Sequence, residues 1–164
     1  MFTNETKLVN VRAAYARKLI EKAKERSDFL VLDCDSKEPT KISELYKEYP
    51  DLCISFGIAE QNMISAAAGI ATMGYIPFVN SFAQFLSMRG LDQIRKSIAY
   101  PNLNVRLVAC HYGLDVGKDG VSHQTIEDIS IMRAIPNMTI LNPADDIECE
   151  KMVDFCFQHN GPIY

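Results

Sequence analysis

Four groups of residues in this 164-residue sequence could do chemistry by type and spacing. The first is Glu60, opening the stretch Glu60 to Gly74, in which Met63, Ile64, Ala66, Ala67, Ala68, Ile70, Ala71 and Met73 leave no polar face. A helix of that composition is buried on most sides, so a carboxylate in its first turn sits in a low-dielectric place with a proton to hold or exchange. The plainer reading is an acid favoured by the helix dipole. The second group is Phe82 and Phe85, three apart and expected on one helical face, where two rings can stack on a flat heteroaromatic group or simply fill the core. The third is the run HYGLDVGKDGVSHQ, a glycine-rich loop bounded by His111 and His123 and containing Asp115 and Asp119. Glycines let backbone approach a ligand closely; the alternative is a long surface loop whose histidines cap helices. Its spacing matches no familiar zinc pattern, and no metal ligand is assigned. The fourth is the polar turn Asp33, Cys34, Asp35, Ser36, just past a strand, where open α/β sheets place ligands and where ordinary turn chemistry also places such residues.

These groups need elements to hold them, and helix and strand patterns alternate along the chain. Leu8, Val11, Tyr15 and Leu19 recur at helical spacing, and the charged run KAKERSD ends that helix. Phe29 to Leu32 reads as a buried strand, Ile42 to Tyr49 as a short helix stopped by Pro50, and Cys53 to Phe56 as a strand turning at Gly57 into the Glu60 helix. Ile76 to Asn80 is a strand, followed by a helix entered through Phe82, carrying Phe85, Leu91, Ile94 and Ile98 and ending before Pro101. Asn104 to Cys110 is a strand that delivers His111. After the loop come a helix through Glu127, Ile131 and Met132 and a strand, Met138 to Leu141. Asn142-Pro143 with Asp145 reads as an N-cap, a first-turn proline and a first-turn acid. The helix that follows buries Cys149, Met152, Val153 and Cys156, and His159 beyond it reads as a solvated terminus. Gly161 to Tyr164 begins one more strand, which is cut where the sequence stops, as in a fragment or excised domain. Five or six strands separated by helices, with no hairpin signal, predict an α/β fold: a doubly wound parallel sheet with helices on both faces, in a single domain over 1–164.

Composition bounds the function. With 48% apolar and 23% charged residues, no apolar run of about 20 residues and a net charge of −4 without a basic block, the sequence argues against membrane and nucleic-acid partners. Met1 to Lys7 lacks the apolar core of a signal peptide. The five cysteines, odd in number and without CxxC spacing, suit a reducing compartment. A cytoplasmic protein is expected.

GIAEQNM, then AAAGIATMGYIPFVNSFAQF, CHYGLDVGKDGVSHQ and IPNMTILNPAD, in that order and spacing, closely resemble the pyrimidine-binding domain of transketolase, a thiamine-diphosphate enzyme. The resemblance covers nearly the whole chain and is strongest to the C-terminal subunit of split transketolases. It implies that Glu60 hydrogen-bonds N1′ of the cofactor's aminopyrimidine and promotes the imino tautomer that takes the thiazolium C2 proton. Burial suits such proton sharing. It further implies that Phe82 and Phe85 pack against the pyrimidine, that His111 lies on the sugar-phosphate side of the substrate channel, and that Asp119 and His123 contact substrate hydroxyls and the covalent intermediate. Arg12 resembles a phosphate-binding arginine, Asp35 an acid near the cofactor, and Ser36 could stand for a phosphate-binding serine.

The sequence also departs from the family. It has no GDG motif with a downstream asparagine, the feature that binds magnesium and diphosphate, so those ligands would come from a diphosphate-binding partner subunit. The resemblance therefore implies half of an active site, moving a two-carbon ketol unit from a ketose phosphate to an aldose phosphate, and a homodimer paired through the smooth helix from Glu60 to Gly74. Deoxyxylulose-phosphate synthase, with a related DG-x-x-HQ run, and a non-catalytic dimerisation or docking domain are the alternatives.

Overall fold

The computed structural model describes residues 10–114 and 116–164; Met1 to Lys7, Leu8 and Asp115 lie outside the described residues. Asn10 starts the first helix, α1 (Val11–Ala23), its side-chain oxygen accepting from the amides of Arg12 and Ala13 at 3.1 and 3.3 Å. That cap satisfies two of the amides a helix start leaves without partners, and it puts Arg12 in the first turn. Then follow β1 (Phe29–Asp33), α2 (Ser43–Glu48), β2 (Cys53–Ser55), α3 (Glu60–Thr72) and β3 (Ile76–Phe82). A broken helix comes next: a π-helical turn at Phe85–Arg89, a short α4 (Leu91–Gln93) and a second π-helical stretch at Ile94–Ala99. The chain continues through β4 (Arg106–Cys110), α5 (Asp128–Arg133) and α6 (Asp146–Cys156).

The four strands form one sheet in the order β2-β1-β3-β4, every pair parallel, with Leu32 opposite Val79 and Val79 opposite Leu107. Ile163 bridges in parallel to Arg106 on one side and Thr139 on the other, adding two short strand segments beyond β4. Each face carries its own core. Leu32, Val79 and Leu107 meet Met63 and Ile64 of α3 with Leu86, Ile94 and Met132. Phe29, Val31 and Phe78 meet Tyr15 and Leu19 of α1 with Cys149 and Val153 of α6. Alternate residues of a strand serve opposite faces, and a parallel sheet covered on both faces is the doubly wound arrangement. β1 pairs with β2 on one side and β3 on the other, so the switch in winding direction lies at the carboxyl ends of β1 and β3, where such sheets open a crevice.

Several local expectations are corrected. Phe82 ends β3 instead of entering a helix, so it and Phe85 do not share a helical face. The segment from Phe85 to Ala99 is not one regular helix. α3 is not enclosed on most sides: Gln61, Ser65, Gly69 and Thr72 are exposed along one face, although Glu60 itself is buried. The cap of α6 is Asp145, accepting from the Glu148 amide at 2.7 Å, not Asn142. Met138 to Leu141 contributes one bridge rather than a full strand, and Met152 and Cys156 are only partly buried. His159 is not a solvated end. Its ring stacks on Phe155 at 5.2 Å, its Nε2 lies 3.1 Å from the Thr139 hydroxyl, and its carbonyl accepts from Arg106.

Arg106 explains that last region. It is 1% exposed, and its guanidinium donates to the carbonyls of Cys156, His159 and Gly161 at 2.6–2.7 Å. Burial lowers its pKa to about 10, and three carbonyl acceptors at the end of α6 take the place of a carboxylate partner.

Candidate active site

The crevice is lined by side chains from four separate places in the sequence. β3 carries Phe82 to its carboxyl end, and the π-helical turn immediately after it turns Phe85 back alongside, so the two rings lie parallel, 8° between planes and 5.7 Å between centroids. The next strand over, β4, delivers His111, whose ring stacks on Phe82 at 4.2 Å. His111 has a left-handed backbone, φ +55°, a conformation uncommon for a residue with a Cβ and frequent where function holds it in place.

His123 arrives from the far side of the glycine-rich loop. Gly113 and Thr125 exchange backbone hydrogen bonds of 2.7 and 3.3 Å, which close the loop on itself. His123 then meets the edges of Phe82 and Phe85 at 5.6 and 5.1 Å, with Ser122 Oγ 2.8 Å from its Nδ1. The twelve-residue spacing of the histidines is thus the length of a loop that leaves the sheet and returns to the same aromatic pair.

Arg12 holds His111 from the other direction. Its Nη1 donates to the Pro39 carbonyl at 2.8 Å and to His111 Nε2 at 2.9 Å. Arginine has no acceptor and does not deprotonate, so Nε2 accepts, and the ring proton sits on Nδ1, 3.0 Å from Cys110 Sγ. Burial pushes the Cys110 thiol up to about 12, so the sulfur stays a neutral acceptor. Arg12 and His111 together line a cavity of about 590 Å³ that runs past Tyr15, Asn80 and Asp128 to Tyr164.

Glu60 is 2% exposed at the start of α3. Its Oε2 accepts from Arg89 Nη1 at 2.9 Å, and the same guanidinium lies over the Phe85 ring at 4.5 Å. The π-helical geometry makes this possible, with the Gly90 amide donating five residues back to the Phe85 carbonyl at 3.1 Å. Gly90 packs so closely on α3 that a Cβ there would fall 2.1 Å from Ile64 Cδ1. Arg89 carried no signal in the sequence reading. An arginine four residues after a phenylalanine is unremarkable until the turn between them is known.

Of the residues singled out from the sequence, Glu60, Phe82, Phe85, His111, His123 and Arg12 therefore fall into one contiguous cluster. Three do not join it. Asp35 is exposed on the β1 turn with φ +53°. Asp119 is exposed on the short turn at Gly117–Asp119. Ser36 is 5% exposed, its hydroxyl donating to the Asn80 carbonyl at 3.3 Å and its amide to Asp33 at 2.8 Å. Asp33, fully buried, also accepts from the Tyr46 hydroxyl at 2.6 Å, and burial together with that bond raises the Tyr46 pKa strongly. Among the described residues, no group of three or more His, Cys, Asp or Glu side chains could hold a metal ion, and no helix is long and apolar enough to cross a membrane.

A buried carboxylate beside two parallel rings, with a histidine and an arginine on the neighbouring strand end and helix, suits a flat heteroaromatic group bearing polar ring atoms. Residues 7–164 match the family model of the transketolase pyrimidine binding domain. The chain belongs to the transketolase family. It is 45% identical over 94% of its length to a putative transketolase C-terminal section of Methanocaldococcus jannaschii, covering 49% of that protein. It is 38% identical over 94% of its length to a 6-deoxy-6-sulfo-D-fructose transketolase subunit of Clostridium sp., covering 48% of it. A solved structure described as a split gene transketolase, inactive beta4 tetramer, superimposes with a TM-score of 0.83 at 42% identity, over 94% of this chain and 50% of that one. The chain thus spans about half the length of the curated relatives it matches. Transketolase membership brings with it dependence on thiamine diphosphate, and the carboxylate-and-ring cluster fits that cofactor's aminopyrimidine.

Proposed function

We propose that this chain supplies the pyrimidine-binding half of a transketolase active site and works with a diphosphate-binding partner subunit, passing a two-carbon ketol unit from a ketose phosphate to an aldose phosphate. The observation that carries the reading is Glu60, buried to 2% exposure and joined through one guanidinium to the face of Phe85. When bound, thiamine diphosphate would supply the nucleophilic carbon and the electron sink for carbon–carbon cleavage. Phe82 and Phe85 would hold its pyrimidine, and Glu60 would share a proton with the ring nitrogen facing it, the work of a buried general acid and base. His111, with Nδ1 as its proton-bearing nitrogen, and Arg12 line the cavity on the side where the sugar phosphate would lie, and His123, set edge-on to the two rings, would contact substrate hydroxyls. Asp119 and Asp35, exposed on loops outside the cluster, would reach substrate and cofactor only with the partner in place. The fully engaged hydroxyl of Ser36 makes it the weakest member of the set. Magnesium would be held by the partner, and the chain is proposed to act in the cytoplasm.

The test is Glu60→Gln in the complex assembled with the partner subunit. Glutamine keeps size and hydrogen bonding but cannot exchange a proton, so NMR after an acid quench from D₂O should show cofactor C2 exchange slowed by roughly 10²–10⁴-fold. Exchange as fast as in the unaltered chain would reduce Glu60 to a helix-start acid and remove the reading.

A further inference from the structure

The cluster has a feature that the family resemblance did not supply: both ends of the aromatic pair are already covered. His111 stacks on Phe82, and Arg89 lies on Phe85 while binding Glu60. We infer that Arg89 is the resting partner of Glu60 and that a heteroaromatic ring takes its place at both contacts, an exchange that draws one proton from solvent. This inference rests on the pyrimidine-half reading.

The proton follows from donors and acceptors. With Arg89 the carboxylate of Glu60 is satisfied as an acceptor. A pyrimidine ring nitrogen offers a lone pair and no hydrogen, so a carboxylate facing it would set two acceptors against each other. A hydrogen bond between them requires one added proton, carried by either atom. The leaving guanidinium keeps its own proton, because arginine remains charged. Nothing else is needed for balance: the Glu60–Arg89 contact breaks, one proton enters from water, and the Glu60-to-ring hydrogen bond forms.

The geometry makes the exchange feasible. Glu60 is fixed at the start of α3, whereas the Arg89 side chain is 48% exposed and can swing outward on a backbone that stays tethered, since Gln61 Nε2 donates to the Arg89 carbonyl at 3.1 Å. The other ionisable groups around the pair do not provide the proton. Cys34, at the end of β1, has its thiol pushed up to about 11, mainly by burial and further by Glu60 and Asp33. Asp33 is occupied by Tyr46 and Ser36. His123 touches the edge of Phe85 rather than Glu60. Arg89 is therefore a positioning residue. It holds the buried Glu60 side chain in a hydrogen bond in the open site, and its departure links ring binding to pH.

Isothermal calorimetry decides the matter, with thiamine diphosphate and magnesium added to the assembled two-subunit complex at pH 7.5 to 8.5 in buffers of different ionisation enthalpy. The unaltered complex should take up about one proton per cofactor, so the association constant should fall about tenfold per pH unit. In Arg89→Met the carboxyl has lost its counter-charge and takes its proton before the ring arrives, so uptake should drop below half a proton and the pH slope should flatten. Arg89→Lys, which keeps a cation there, should restore both. Cofactor bound with the same proton count in the unaltered complex and Arg89→Met, or with none in the unaltered complex, overturns the exchange and leaves the pyrimidine-half reading standing. No binding in any of the three proteins would overturn both.

Discussion

At the scale of single residues, Phe82 illustrates how one side chain serves two purposes. Its ring is 8% exposed, with His111 on its face, Phe85 parallel to it and the edge of His123 beside it. Removing the ring takes away a packing partner from three others, and Phe→Ala at such a site costs roughly 3 kcal/mol. Phe82→Ala should therefore unfold at a clearly lower urea concentration and also lose cofactor more readily from the assembled complex, as measured by retention on gel filtration. Normal cofactor retention with lowered stability would assign the ring to the core alone. Arg12 acts on a finer scale, choosing which nitrogen of His111 bears the proton through a single hydrogen bond of 2.9 Å.

At the scale of elements, helices from opposite ends of the described chain are joined. α1 and α6 pack side by side, with Lys22 and Lys18 reaching Asp154 at 2.7 and 3.3 Å and Arg17 paired with Glu150. The bond from Lys22 holds the Asp154 carboxyl below its usual range, with burial opposing it and Lys18 adding to the lowering. The folded value lies below the unfolded one, so this contribution is present at neutral pH and disappears as the pH falls below about 4. Asp154 is more than a third exposed, and screening limits the gain to about 0.5 kcal/mol. Asp154→Asn should lower the urea midpoint slightly at pH 7 and match the unaltered chain at pH 3. An equal deficit at both pH values would attribute the loss to packing instead of charge.

The same scale shows what the sequence could reveal. β1 and β3 were legible because runs such as FLVL and IPFV are buried on both faces, as central parallel strands are. Glu60 stood out because a carboxylate rarely opens so apolar a stretch. The π-helical turn was not legible: Phe85, Leu86, Arg89 and Ile94 have acceptable α-helical spacing, and the wider winding shows only in the Gly90 amide reaching five residues back to the Phe85 carbonyl. Arg89 was missed with it, and so was Arg106, whose carbonyl partners lie about fifty residues away. The Asn142-Pro143 pair imitated a cap that Asp145, three residues later, provides.

At the scale of the whole molecule, the proposal is that the chain carries one wall of a site. With no GDG run in the sequence and a match to only about half of its relatives' length, the purified chain should bind thiamine diphosphate weakly and transfer no ketol unit, and measurable transfer in a coupled assay would refute the half-site proposal. The open face of α3, with Ile58 and Met73 exposed at its two ends, favours pairing of two copies. Sedimentation equilibrium should show a homodimer, and a strictly monomeric species at high concentration would refute it.

Asn80 sets the tempo of this wall. Beneath the rings it accepts from the Tyr15 hydroxyl of α1 at 2.8 Å and gives its amide hydrogens to the carbonyls of Leu32 in β1 and Phe78 in β3, so the floor of the crevice cannot open without separating three elements together. The roof carrying His123 is closed among the described residues by the pair of backbone bonds between Gly113 and Thr125 and by the Gln124 side-chain amide donating to the Leu114 carbonyl at 3.0 Å. Local opening should consequently be faster above the rings than beneath them, and hydrogen exchange should label the amides of the loop between Gly113 and Thr125 well before those of β1 and β3.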